Sequence, residues 1–202
     1  AAKCGTVSIG GKGMGKLSPG DSIRAGMVLI CEDRRGKAMI GSMSIKENVT
    51  LSCIDEYSDH GVLSKKKEEQ AVSERLKSLQ IKMAGMDQRA IELSGGNQQK
   101  VILGREISHD PGLVLVAQPV RGLDIGAIEK VHKTLLELKE QGKAILLISA
   151  ELSEIMNLSD RIAVFYEGEV SAQFANGEYT KEEIGLFMAG KKQEVNAHEV
   201  DM

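Results

Sequence analysis

Short aliphatic runs alternate along this chain with stretches whose apolar residues recur every three or four positions. Met27–Cys31, Leu113–Val116, Ile145–Ser149 and Ile162–Tyr166 are runs of the first kind. Their length predicts strands. The last three are aliphatic on both faces, as expected for a parallel sheet covered by helices. Gln98–Ser108 carries Val101, Ile102, Leu103 and Ile107 at helical spacing. Ala127–Gln141 sets Ile128, Val131, Leu135 and Leu138 on one face and stops before Gly142, a residue suited to a helix C-terminus. Strand and helix patterns alternate from about residue 97 to 166, which predicts an α/β layer architecture.

Residues 42–96 have a different rhythm. They show no strand pattern and read as a helical insertion. Within them Lys65–Gln80 is highly charged, with Val72, Leu76 and Leu79 as a narrow apolar stripe behind Ser64, a candidate N-cap. Farther on, Glu167-Gly168 between two strand-like runs predicts a hairpin joining Ile162–Tyr166 to Glu169–Phe174. Thr180 and Glu183 have capping-box spacing ahead of Ile184, Phe187 and Met188, and Gly190 ends that helix. Lys191–Met202 is polar and is expected to fray.

Composition narrows the function classes. The net charge of -3 gives no sequence-wide basic field for nucleic acid or an anionic membrane surface. Three Tyr, three Phe and no Trp leave little for base stacking. The longest apolar runs, such as Ala144–Ile148, are far shorter than the ~18 residues of a membrane span, and no leader pattern is visible. Cys4, Cys31 and Cys53 lack C-x-x-C spacing, which fits free thiols in a reducing compartment. His60, His109, His132 and His198 are isolated, so no metal site is expected. The 202 residues suit one mid-sized domain, yet the chain starts at Ala1 rather than Met, as a piece of something longer would.

Two glycine-rich segments invite a phosphate-binding reading. Gly10-Gly-Lys-Gly-Met-Gly15-Lys16 has the first seven positions of G-x-x-x-x-G-K-[ST]. The eighth is Leu17, which lacks the hydroxyl that ligates Mg²⁺, and Leu17-Ser18-Pro19-Gly20 is not expected to open a helix there. A hairpin turn is the better expectation. Leu93-Ser94-Gly95-Gly96-Asn97-Gln98-Gln99-Lys100 is more informative. Two glycines, a hydroxyl and a following helix N-terminus can make an anion site. The same residues also fit a plain Ser N-cap with a flexible lead-in.

The octet resembles the signature motif of ATP-binding cassette (ABC) ATPases, in the form used by sugar and nucleoside importers. The resemblance covers almost the whole chain. Ala25–Arg34 is similar to the segment that replaces the Q-loop in the second cassette of these proteins. Ser44-Ile-Lys-Glu-Asn48 resembles the start of their helical subdomain. Gln118–Ala127 resembles the end of the Walker B motif and the D-loop, and Ile148–Glu154 with Leu158–Ile162 resembles the switch region and the strand after it. Ala117-Gln-Pro, Gly126–Glu129 and Gly185–Gly190 lean towards the nucleoside-importing branch.

The resemblance implies a P-loop NTPase-like α/β cassette: a parallel sheet flanked by helices, with an inserted α-helical subdomain. Residues 1–41 would form part of the ATPase lobe and 42–96 the subdomain. The lobe would resume over 97–176, with a C-terminal helix and tail over 177–202. The first strands and the Walker A loop would precede this segment. It also implies ATP and Mg²⁺ as cofactors, and no nucleic-acid partner. A partner cassette would lie in the N-terminal half of the same polypeptide, with permease subunits, a substrate-binding lipoprotein and a place at the cytoplasmic membrane face.

The departures from the family pattern matter as much. The Walker B strand should end in Asp-Glu, but Ala117-Gln118 stands there. Ala117 cannot help hold Mg²⁺, and Gln118 cannot accept a proton from water as a carboxylate does. The switch position is Ala150 instead of His, and the Q-loop position is Glu32 instead of Gln. The parts for hydrolysis at its own site are missing, so this segment alone is expected to be inactive. Ser94, Gly95, Gly96, Gln98 and Asp124 keep the pattern and would complete ATP held by the partner. A non-catalytic regulatory or dimerisation module and a soluble non-transport ABC ATPase are the alternatives. A repair type would need a long coiled coil between Glu32 and Ser94, for which there is no room. A translation type would normally keep its Walker carboxylates.

Overall fold

A computed structural model describes residues 6–15 and 18–191. Cys4, Lys16, Leu17, His198 and all of the C-terminal tail beyond Lys191 lie outside the described residues. The chain divides into two compact units, Ala1–Ile148 and Ser149–Met202.

The first unit opens with a hairpin, β1 (Val7–Ile9) and β2 (Lys12–Met14), paired antiparallel across Gly10-Gly11. Both glycines have positive φ, 56° and 76°, the backbone a two-residue turn of this kind demands. The Gly10–Gly15 run is therefore a hairpin, as its sequence predicts. The expectation that no helix could start beyond it is wrong. Ser18 opens α1 (Pro19–Arg24), where Ser18 and Asp21 form a reciprocal capping box. Pro19 stands in the first helical turn, where its missing N–H costs nothing.

The sheet that follows is parallel, with three strands in the order β3 (Met27–Ile30), β6 (Leu113–Ala117), β7 (Ala144–Ile148). Helices α4 (Gly95–Ile107) and α5 (Ile125–Glu140) make its two crossovers. Both crossovers step across the sheet in the same direction, so right-handed connections lay both helices on one face. Val28, Ile30, Val114 and Val116 are buried under them. On the alternate positions Leu29, Leu146 and Ile148 are each more than half exposed, while Leu113 and Leu115 of the central strand are half-buried.

Between β3 and α4 lies the helical insertion. It holds α2 (Ile45–Thr50), capped by the Ser44–Glu47 box, and α3 (Lys65–Ser78). Its core joins Ile45 and Val49 of α2, Val72 and Leu76 of α3, and Val101 of α4, with Met83 and Met86 packed alongside. Ser64 is the N-cap of α3 in position, though its side chain makes no capping bond. The insertion is not strand-free, as the sequence pattern implied. Ser58–Asp59 (β4) and Val62–Leu63 (β5) pair across His60-Gly61. Two-residue strands are too short to leave an alternation in the sequence.

The second unit contains α6 (Leu152–Leu158), β8 (Arg161–Tyr166), β9 (Glu169–Ala175) and α7 (Lys181–Met188). β8 does not join the parallel sheet. It pairs antiparallel with β9 through the Glu167-Gly168 turn, and its burial alternates: Ile162 and Val164 in, Ala163 and Phe165 out. Ile162, Val164, Phe174, Ile184 and Phe187 form this unit's core, with Tyr179 edge-on to Phe174 and Phe187. The Thr180–Glu183 box caps α7 as expected. Among the described residues, no helix is long and apolar enough to cross a membrane.

Candidate functional site

The start of α4 is the focus. Ser94 is its N-cap in backbone conformation, yet its hydroxyl caps no backbone N–H. The Ser94 Oγ instead accepts from Asn97 Nδ2 at 3.1 Å, and Asn97 Oδ1 accepts from the Lys82 N–H at 3.1 Å. Gly95, Gly96 and Asn97 thus begin a 13-residue helix with no side chain capping their N–H groups. Amides of this kind, at the positive end of a helix dipole, attract anions.

The two glycines have different reasons. A Cβ on Gly96 would stand 2.7 Å from the Ala127 Cβ, so this glycine lets α4 and α5 touch. At Gly95 the nearest atoms to such a Cβ are 3.7 Å away, Arg34 Nη2 among them, which is ordinary contact. Asp124 caps α5, with Oδ1 accepting from the Ala127 N–H at 2.9 Å. Its Oδ2 lies 3.6 Å from the position of a Gly96 Cβ. The structure therefore brings Ser94, Gly95, Gly96 and Asp124 together around one helix start.

Gln98 is placed otherwise. It is 1% exposed, and its Nε2 donates to the carbonyls of Leu93 at 3.0 Å, Ile91 at 3.3 Å and Ala90 at 3.4 Å. Its amide holds the lead-in loop against α4. Its Oε1 is buried without a hydrogen-bond partner.

Glu32 sits on the other flank. Its carboxylate pairs with the Arg121 guanidinium, and Arg34 Nη1 donates to the Arg121 carbonyl at 2.8 Å. Asp33 caps the tight turn Arg34–Ala38, accepting from the Gly36 N–H at 2.9 Å. Burial first, and then the charge of Arg35, push the Arg34 guanidinium below the usual arginine value. These residues, with Gly95, Gln98 and Gly122, line a cleft of about 580 Å³. Sequence reading did not single out Arg34 or Arg121 as individuals, because their contact spans 87 positions. Lys100 donates to the Gln80 carbonyl at 3.1 Å. Burial, Lys130 and Lys82 lower its pKa, against Asp124.

At the end of β6, Ala117 is half-buried and Gln118 turns into a left-handed conformation, φ 48°. The Gln118 N–H donates to the Ile148 carbonyl at 2.8 Å and extends the β6–β7 ladder. Neither side chain is a carboxylate. Ala150 belongs to the second unit, where it is exposed. No group of three or more His, Cys, Asp or Glu among the described residues could hold a metal ion. The donor set at the strand end does not fit Mg²⁺, whereas the start of α4 fits a phosphate.

The chain is 44% identical over 191 residues to the guanosine import ATP-binding protein NupO of Bacillus subtilis (strain 168), an alignment covering 94% of this chain. It is 38% identical over 187 residues, 92% of this chain, to the ribose import ATP-binding protein RbsA of Caldanaerobacter subterraneus subsp. tengcongensis. The fold matches a dimeric ATP-binding cassette in a post-hydrolysis state bound to ADP and Pi, with a TM-score of 0.72 and 23% identity. That match covers 88% of this chain and 75% of the other. The chain belongs to the ABC-type ATP-binding cassettes. No family model matches it. This cassette spans 38% of the length of each of the two import proteins.

Proposed function

We propose that this cassette is the non-hydrolysing member of an asymmetric pair that powers import of nucleosides or simple sugars. Its α4 start completes the site of ATP held by a competent partner cassette, and its own strand end does no chemistry. The observation that carries this reading is the contrast between two ends of one unit. The N–H groups at Gly95 and Gly96 are presented uncapped beside Ser94, while β6 ends in Ala117-Gln118 without a carboxylate. Hydrolysis needs charge stabilisation and a group to handle the water, and only the first is offered here.

Ser94 and the helix amides would hold a phosphate of the partner's ATP. Gln98 fixes the loop that presents them, and Asp124 joins α5 to the same corner. Bound Mg²⁺ would neutralise phosphate charge from the partner's side. The partner is the N-terminal cassette of the same polypeptide, and permease subunits tether the pair to the cytoplasmic membrane face. The greater identity to the guanosine protein than to the ribose protein favours nucleosides.

Ser94→Arg, made in the complete polypeptide, fills the phosphate position with a long side chain. ATPase activity and uptake should fall sharply. Unchanged uptake would contradict the proposal. Gln118→Ala should leave turnover nearly intact, and a large loss would mean that this strand end does chemistry.

A further inference from the structure

Arg34 is a cation without an anion. Its fork is held on one edge by the Arg121 carbonyl, 2.8 Å from Nη1. Its other terminal nitrogen, Nη2, comes within 3.7 Å of where side chains on Gly95 and Gly122 would begin. Glycine at both positions leaves that edge uncovered, beside the uncapped amides of α4. Two carboxylates of the same segment have other partners: Glu32 pairs with Arg121, and Asp33 accepts from the Gly36 N–H. Among the described residues no carboxylate forms an ion pair with Arg34. A half-buried guanidinium beside Arg35 and the positive end of a helix is repelled from both sides. That arrangement becomes favourable once an anion enters.

Arg34 lines the cleft together with Gly95 and Gly122, so a group entering there meets its uncovered edge beside the amides of α4. Such a group should bring negative charge, and a nucleotide phosphate carries it.

We propose that Arg34 is a nucleotide-contacting residue: its free edge donates to a phosphate of the ATP held by the partner cassette, next to Gly95. This rests on the reading that α4 presents its start to that nucleotide. It adds a charged clamp from the turn after β3 to a site otherwise made of a hydroxyl and backbone amides. A planar fork suits a phosphate better than a point charge does. Arg121 is a positioning residue, since its carbonyl aims the fork and its guanidinium keeps Glu32 from competing for it.

The test uses the complete polypeptide with its competent cassette and MgATP as the probe. Arg34→Gln should raise the KM for ATP about tenfold or more, the scale of one lost charged hydrogen bond. It should also flatten the dependence of KM on salt. Arg34→Lys keeps the charge and should recover most of the loss. The nucleotide-free melting temperature of Arg34→Gln should stay level or rise, because an unpaired cation is gone. An unchanged KM in Arg34→Gln, with Ser94→Arg inactive, would overturn the role of Arg34 and leave the underlying reading standing. Full turnover in Ser94→Arg would overturn both. Equal defects in Arg34→Gln and Arg34→Lys, with lowered melting, would make Arg34 only a strap to the Arg121 carbonyl and overturn the proposal.

Discussion

Gly96 and Gly95 stand side by side in the motif and do different work. At Gly96 the space is taken by Ala127, with a Cβ–Cβ approach of 2.7 Å. Gly96→Ala should therefore destabilise the chain by about 1–3 kcal/mol, the usual cost of overpacking. Gly95→Ala should cost much less, since its nearest contacts are 3.7 Å away. Denaturant melts of the two variants decide this, and equal losses would refute the assignment of Gly96 to helix packing. The motif itself was legible in the sequence, because its residues are contiguous. The division of labour within it was not. Gln98 reads as a ligand by its place in the octet, yet it turns inward, where its amide donates to the carbonyls of residues 90, 91 and 93. Arg34 was legible only as the last residue of the Ala25–Arg34 segment. Its meaning depends on Arg121, 87 residues away, and no local pattern encodes that.

The elements divide the same way. Helices with a clear apolar stripe, such as α3 and α5, fall within a few residues of where periodicity puts them. The three glycine-bearing hairpin turns follow from positive-φ chemistry, and two of them were visible in advance. The elements that escaped are short or ambiguous. α1 hid behind Pro19, and β4–β5 are two residues each. β8 looked like an interior parallel strand because Phe165 and Tyr166 extend its apolar run, though Phe165 is 68% exposed. One consequence is testable on the parallel sheet. Leu29, Leu146 and Ile148 form an apolar face that neither α4 nor α5 covers. Such a face promotes association. The 202-residue chain should self-associate as its concentration rises, and Leu146→Lys should reduce this with little effect on melting, as measured by sedimentation and thermal denaturation. Self-association that ignores the substitution would place the sticky surface elsewhere.

At the scale of the whole molecule, the proposed roles divide between two cassettes. In the proposed division this one supplies the start of α4, set beside the turn that Glu32 and Arg34 tie to Arg121 and against α5 at Gly96. Ala117 and Gln118 leave its own strand end without the acid groups that hydrolysis requires. Competence would then reside in the partner, and each cycle would consume ATP at one of two composite sites. Vanadate, which locks nucleotide in a site after hydrolysis, counts those sites. With the complete polypeptide turning over MgATP, one ADP should be trapped for each pair of cassettes. Two trapped ADP per pair would show that this cassette hydrolyses ATP as well, and would contradict its non-hydrolysing role.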